Sequence, residues 1–99
     1  MNNSSILIVD DEPGIHEVIA RLLEPEFEIY KAYSGSEGLE KLNTMKPNLI
    51  LLDLKMPKMS GISFLRKLEE ADKKVPVIVL TAYGSVNSAV QYIRLGAVD

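Results

Sequence analysis

Three short apolar runs divide the chain, and each of them ends in a polar residue. The runs cover residues 6–9, 49–52 and 75–80, and they consist mainly of leucine and β-branched residues. Continuous apolar runs of this length are typical of strands that are buried on both faces of a parallel sheet. A looser alternation over residues 27–32 predicts one more strand. The pattern therefore indicates four strands.

The segments between these runs have the spacing of amphipathic helices. Apolar residues at positions 15, 18, 19, 22 and 23 predict one helix face after Pro13, whose missing N–H suits a first helical turn. His16 lies among polar neighbours on this helix, and we expect it to be solvated. Ser36 and Ser60 are expected to cap the next two helices. Their inward residues are predicted at positions 39 and 42, and at 62, 65 and 68.

A fourth helix completes the alternation of strands and helices. Its predicted inward residues lie at positions 86, 90, 93 and 95, and Gly96 is expected to end it. The order βαβαβαβα predicts the α/β class, with a doubly wound parallel sheet that carries helices on both faces.

Composition limits the classes of protein to which the chain can belong. With 99 residues, 46% of them hydrophobic and none of them cysteine, residues 1–99 are expected to form a single domain without disulfides or thiolate metal sites. Lys and Arg number 11 against 14 Asp and Glu, and the net charge of −3 argues against direct nucleic-acid binding. No apolar run approaches the ~20 residues of a membrane helix, and the first residues do not form a signal peptide. We therefore expect a cytoplasmic protein with no membrane partner.

Polar side chains follow three of the predicted strands. Asp10, Asp11 and Glu12 follow the first strand, Asp53 follows the third, and Thr81 follows the fourth. Ligands of open parallel sheets bind at the carboxyl ends of the strands, where these groups would meet. Crowded carboxylates repel one another unless a cation neutralises them, and oxygen ligands suit Mg²⁺. Helix capping, a turn aspartate and a strand-end hydroxyl would explain each group singly, but their coincidence favours a functional site.

These motifs resemble the CheY-like receiver domain of two-component response regulators. The resemblance rests on Asp10-Asp11, on residues 53–61 beginning with Asp53, on Thr81-Ala82 and on residues 96–99. It implies a flavodoxin-like fold with four strands in the order 2-1-3-4. Residues 81–84 are most similar to receivers attached to the ATPases that activate alternative-sigma-factor polymerase.

The resemblance also implies a role for each site residue. Asp53 would accept a phosphoryl group from a sensor histidine kinase. Asp11, Asp53 and the backbone carbonyl of Lys55 would bind Mg²⁺ directly, and Asp10 would bind it mainly through water. Thr81 would donate a hydrogen bond to the acquired phosphoryl group. Such a protein is a signalling switch that catalyses only its own phosphorylation and dephosphorylation, and is not an enzyme of turnover.

The sequence departs from the receiver pattern at its end. A complete receiver continues into a fifth strand, which carries a lysine, and a fifth helix, whereas this sequence ends at Asp99. We expect a truncated receiver that lacks the last βα unit and the output domain. The fourth strand would then form a sheet edge, and dimerisation or exchange of elements would cover it, which predicts a homo-oligomer.

Other functions fit the residues less well. A phosphatase of the haloacid dehalogenase kind needs a second aspartate two residues after the nucleophile, where this chain has Lys55. A dinucleotide-binding domain needs a glycine-rich turn after the first strand, where the acidic run stands. A phosphorylation-independent interaction or dimerisation module stays open as the alternative.

Overall fold

The computed structural model describes residues 4–53, 61–71, 75–80 and Val90. Within these ranges strands and helices alternate, as the hydrophobic pattern predicts. The elements are β1 (Ser5–Val9), α1 (Pro13–Leu23), β2 (Glu28–Ala32), α2 (Gly35–Leu42), β3 (Leu49–Asp53), α3 (Gly61–Glu70) and β4 (Val77–Leu80). The predicted loop at 54–59, the cap at Ser60 and all of the predicted fourth helix except Val90 lie outside the described residues.

The four strands form one parallel sheet in the order β2-β1-β3-β4, which confirms the predicted order. In the described part of the chain, β1 and β3 are the inner strands and β4 lies at an edge. Asn48 fixes the register of the inner pair: its Oδ1 accepts from the Ser5 N–H at 2.8 Å, and its own N–H donates to the Ser5 carbonyl at 2.8 Å.

Side chains alternate between the two faces of the sheet, so that each inner strand is buried on both sides. One face packs against α1 through Ile19 and Leu23, and Val90 belongs to the same cluster. The other face packs against Leu42 of α2 and against Phe64 and Leu68 of α3. Helices therefore cover both faces, and the doubly wound α/β fold is confirmed.

The buried face of α1 differs from the predicted one. Val18 and Leu22 were expected to face inward, but they are 48% and 38% exposed. His16 was expected to be solvated, but it is fully buried together with Ile19 and Leu23. Positions 16, 19, 20 and 23 also repeat at helical spacing. This stripe faces the sheet: Ile19 and Leu23 pack on it, and His16 donates a hydrogen bond to the Asp10 carbonyl at the end of β1.

The start of α2 also differs from the prediction. Ser34, not Ser36, caps this helix, since its Oγ accepts from the Glu37 N–H at 3.1 Å. The Glu37 carboxylate in turn accepts from the Tyr33 N–H at 3.2 Å, in a reciprocal arrangement close to a capping box. The Ser-x-x-Glu spacing of residues 34–37 is the signal that identifies this cap.

A close approach of α2 to its neighbours explains one glycine. A Cβ atom at Gly38 would lie 3.0 Å from Cε1 of Phe64 and 3.0 Å from Cγ2 of Val9. Phe64 is completely buried. Glycine at this position therefore lets α2 sit directly against the aromatic ring of α3 and the end of β1.

Candidate metal centre

Three aspartates converge at the carboxyl edge of the sheet. β1 and β3 run parallel and pair side by side, so Asp10 and Asp11 after β1 come to the same edge as Asp53, the last residue of β3. One carboxylate oxygen from each of the three residues lies within 4.8 Å of the others. The adjacency that the strand order predicts is therefore present in the fold.

Asp10 is the most buried member of this cluster and is only 4% exposed. Its N–H donates to the Ala32 carbonyl at the end of β2, at 3.0 Å. Its Oδ1 accepts from the Glu12 N–H at 2.9 Å. These contacts fix both the backbone and the side chain of Asp10 at the junction of β1 and the following loop.

Burial makes the ionised form of Asp10 costly. Desolvation is the largest influence and raises the pKa of this carboxyl from 3.8 to about 6, against the lowering effect of the Glu12 N–H. Repulsion from Asp53 and Asp11 contributes to this increase in the pKa. The cluster thus keeps negative charge in a place where a nearby cation would stabilise it.

The donor set of the cluster fits a hard divalent cation. Carboxylate oxygens are the ligands that Mg²⁺ takes in proteins, usually one or two of them together with waters and a phosphate. Asp11 is exposed and Asp53 is half-buried, so this side of the cluster is open to solvent. A cation held by Asp10, Asp11 and Asp53 would therefore keep coordination positions for water or phosphate.

A buried histidine of α1 contacts this edge of the sheet. Nε2 of His16 lies 2.7 Å from the backbone carbonyl oxygen of Asp10. The His16 ring packs against Tyr33 with the ring centroids 4.4 Å apart and the planes inclined by 45°. Sequence reasoning missed this contact because His16 was assigned to the solvated face of α1, although its spacing from Ile19 and Leu23 indicates the buried stripe.

Two of the predicted site residues belong to parts of the chain that the structure does not describe. Thr81 and Lys55 lie outside the described residues. Of the predicted set, the structure brings together Asp10, Asp11 and Asp53.

Comparison with known proteins assigns the family. Residues 6–99 match the response regulator receiver domain family. The chain belongs to this family. Receiver domains are signalling switches that interact with sensor histidine kinases and bind Mg²⁺ at an acidic pocket.

Individual receiver-containing proteins show the same similarity. Sporulation initiation phosphotransferase F of Bacillus subtilis is 36% identical over 98 residues, which cover 98% of this chain and 79% of that protein. The regulatory protein AtoC of Escherichia coli is 36% identical over 95 residues, and the match covers 95% of this chain and 21% of AtoC. The receiver thus spans about a fifth of AtoC and most of the sporulation protein.

A solved receiver structure also superposes well on this one. The response regulator TrrA of Thermotoga maritima, solved in complex with Mg²⁺ and BeF, has a TM-score of 0.73 and 35% identity. The match covers 91% of this chain and 79% of TrrA. No helix in the described part of this receiver is both long enough and apolar enough to cross a bilayer.

Proposed function

We propose that this receiver takes a phosphoryl group from a sensor histidine kinase onto Asp53, with Mg²⁺ held by Asp10, Asp11 and Asp53. The convergence of these three carboxylates within 4.8 Å at the carboxyl edge of the sheet carries the proposal. Membership of the receiver family supplies the class of partner. Thr81 and the Lys55 carbonyl complete the proposed set of ligands and donors.

The position of Asp53 suits a nucleophile. It ends β3, an inner strand whose preceding residues are fully or almost fully buried. β3 pairs with β1 as far as Leu52 and with β4 as far as Asp53, so the backbone that carries this side chain is held in the sheet. Its side chain is half-buried and stands beside the two acidic residues of the β1 end. Rigid support of this kind holds a carboxylate in the direction required for in-line attack.

The proposed reaction is a transfer between two nucleophiles. A carboxylate oxygen of Asp53 forms a bond to phosphorus while the bond from phosphorus to the phosphohistidine nitrogen breaks, and that nitrogen keeps the electron pair. The histidine ring takes up one proton from solvent as it leaves, so the products are an aspartyl phosphate and a neutral histidine. Bound Mg²⁺ would supply the positive charge that lets an anionic phosphoryl group approach three carboxylates. Hydrolysis of the aspartyl phosphate returns the receiver to its starting state.

Phosphorylation would change the charge of the edge. An aspartyl phosphate places about two negative charges where the Asp53 carboxylate carried one. Asp10 and Asp11 lie close enough to sense that change. The proposed output is therefore an electrostatic rearrangement of the segments that adjoin this edge.

Labelling with acetyl phosphate tests the proposal without the cognate kinase. We expect Mg²⁺-dependent incorporation of one phosphoryl group, detected by intact-protein mass spectrometry and removed by hydroxylamine, which cleaves acyl phosphates. Asp53→Asn should abolish incorporation because the amide is a poor nucleophile. Glu40→Gln removes an exposed carboxylate on α2 and serves as the control that should label like the wild type.

Two outcomes would contradict the proposal. Equal labelling of Asp53→Asn and wild type would place the acceptor elsewhere. Failure of the folded wild type to label at any Mg²⁺ concentration would favour the alternative, a phosphorylation-independent interaction module.

Self-association stays a prediction. β4 lies at a sheet edge in the described part of the chain, and its Val77, Ile78 and Val79 are only partly buried. Unpaired strand edges favour pairing with another chain. Sedimentation velocity over a range of concentrations tests this, and a monomer throughout the micromolar range would contradict it.

A further inference from the structure

We infer that His16 is a positioning residue for the metal centre, and that it acts by donating its Nε2–H to the backbone carbonyl of Asp10. This inference rests on the proposed function, since it concerns the metal site that Asp10, Asp11 and Asp53 would form. It assigns a role to the first helix, whose sequence carries no carboxylate of the site.

The chemistry of the contact fixes the tautomer of the ring. A carbonyl oxygen can only accept a hydrogen bond, so the Nε2 atom at 2.7 Å from it must carry the proton. Nδ1 is buried and makes no hydrogen bond of ordinary length and angle in the described part of the chain, while the Ala32 backbone also acts on the ring and raises the pKa of His16. Burial, the largest influence, lowers the pKa of His16, which favours the neutral ring.

The bare Nδ1 argues that His16 is not there for packing alone. A buried ring nitrogen that makes no full hydrogen bond destabilises the folded state. An aromatic hydrocarbon side chain would fill the same space between α1 and Tyr33 without that penalty. What histidine supplies and phenylalanine lacks is the single N–H that reaches Asp10.

The hydrogen bond acts on the peptide group that joins Asp10 to Asp11, two of the three proposed metal ligands. The Asp10 N–H is already tied to the Ala32 carbonyl, and the His16 N–H ties the Asp10 carbonyl from the other side. Because the peptide group is planar, fixing that carbonyl also fixes the N and Cα atoms of Asp11. Asp11 is exposed, so its position depends strongly on this peptide.

Tyr33 limits the freedom of the histidine ring. Its ring lies against His16 at a centroid separation of 4.4 Å, and its backbone N–H is held by Glu37 of α2. The imidazole is thus confined between the end of β1 and the start of α2. A confined donor aimed at the ligand-bearing peptide is the arrangement that second-layer groups of metal sites use to orient their ligands.

Three substitutions separate positioning from packing. His16→Gln places an amide N–H near the position of Nε2, His16→Asn places one near Nδ1, and His16→Phe provides no donor. We expect His16→Phe to weaken Mg²⁺ binding roughly tenfold, as removal of such supporting groups does. His16→Gln should recover most of the affinity, whereas His16→Asn should not. Isothermal titration calorimetry gives the Mg²⁺ dissociation constants, and urea unfolding shows whether each variant is folded.

The outcomes distinguish this inference from the proposed function. If wild type binds Mg²⁺ and folded His16→Phe binds it equally well, the inference is wrong and the proposed function stands. If wild type binds no Mg²⁺, the metal site itself is wrong, and the inference is overturned together with it. Equal affinity of the Gln and Asn variants would also overturn the inference, because the reach of the donor would not matter.

A measurement on the wild type keeps the test decisive if His16→Phe fails to fold. ¹⁵N NMR of the imidazole distinguishes its tautomers directly. We expect protonated Nε2 and bare Nδ1 at neutral pH, both before and after addition of Mg²⁺. A ring protonated at Nδ1 alone would leave nothing to donate to Asp10 and would overturn the inference.

Discussion

Neutralising Asp10 should stabilise the metal-free domain. Asp10 is only 4% exposed, and the substitution Asp10→Asn removes its negative charge, which Asp53 and Asp11 repel. The asparagine keeps a side-chain oxygen that can accept a hydrogen bond from the Glu12 N–H. Folding raises the pKa of this carboxyl from 3.8 to about 6. A difference of this size corresponds to a cost of about 3 kcal/mol when the group is ionised. We therefore expect Asp10→Asn to raise the free energy of unfolding by up to about 3 kcal/mol at pH 8.

The sign of the pH dependence is opposite to that of a salt-bridged aspartate. Because the folded state holds the Asp10 proton more tightly, the wild type loses stability as the pH rises from about 4 to about 6. Above this pH range, ionised Asp10 destabilises the folded domain by the full amount. Below pH 4 the destabilisation disappears because Asp10 is protonated in both the folded and the unfolded state. The advantage of Asp10→Asn should follow the same course.

Urea unfolding followed by circular dichroism, in EDTA at pH 4 and pH 8, measures this effect. Glu40→Gln, which neutralises an exposed carboxylate on α2, is the matched control and should change stability little at either pH. Saturating Mg²⁺ should reduce the difference in unfolding free energy between Asp10→Asn and the wild type at pH 8, since the cation offsets the repulsion among the wild-type carboxylates. Destabilisation by Asp10→Asn at pH 8, or a gain that is the same at pH 4, would refute the reasoning.

Two further substitutions test the packing and the capping of α2. Gly38→Ala should lower the free energy of unfolding by about 1 kcal/mol, because the added methyl group would lie 3.0 Å from the buried Phe64 ring, and overpacking typically costs more than helix propensity returns. Gly14→Ala, where nothing lies within 4 Å, should not destabilise; an equal loss at both glycines in urea titrations would contradict the packing argument. Ser34→Ala should cost about 1 kcal/mol through loss of the cap, whereas Ser36→Ala should have little effect, and the reverse order would show that the helix begins later.

The strands could be predicted from sequence because burial on both faces leaves a simple signature. Continuous apolar runs marked β1 and β3 to within one residue. Helix faces were harder, because several helical stripes fit α1 and the pattern chose the one with Val18 and Leu22 rather than the one with His16. Only the position of the neighbouring strand end decides between such stripes.

The site was predictable to the extent that topology determines it. Parallel neighbouring strands bring their carboxyl ends together, so the sequence alone predicts that Asp10, Asp11 and Asp53 lie at one edge. The contact of His16 with Asp10 could not be predicted, since it depends on the rotation of α1 about its axis. The burial of Phe64 could not be predicted either, because α2 approaches its ring closely only where Gly38 has no side chain.

The inner position of β1 has a consequence for synthesis on the ribosome. β1 is made first, but its partner on one side is β3, which ends at residue 53. At about 5–20 residues per second, translation needs roughly 2–9 s to complete β3 after β1 is complete. During that interval the backbone edge of β1 that pairs with β3 stays unpaired in the nascent chain. A holding chaperone that recognises extended apolar segments would find a target at residues 6–9 during this interval.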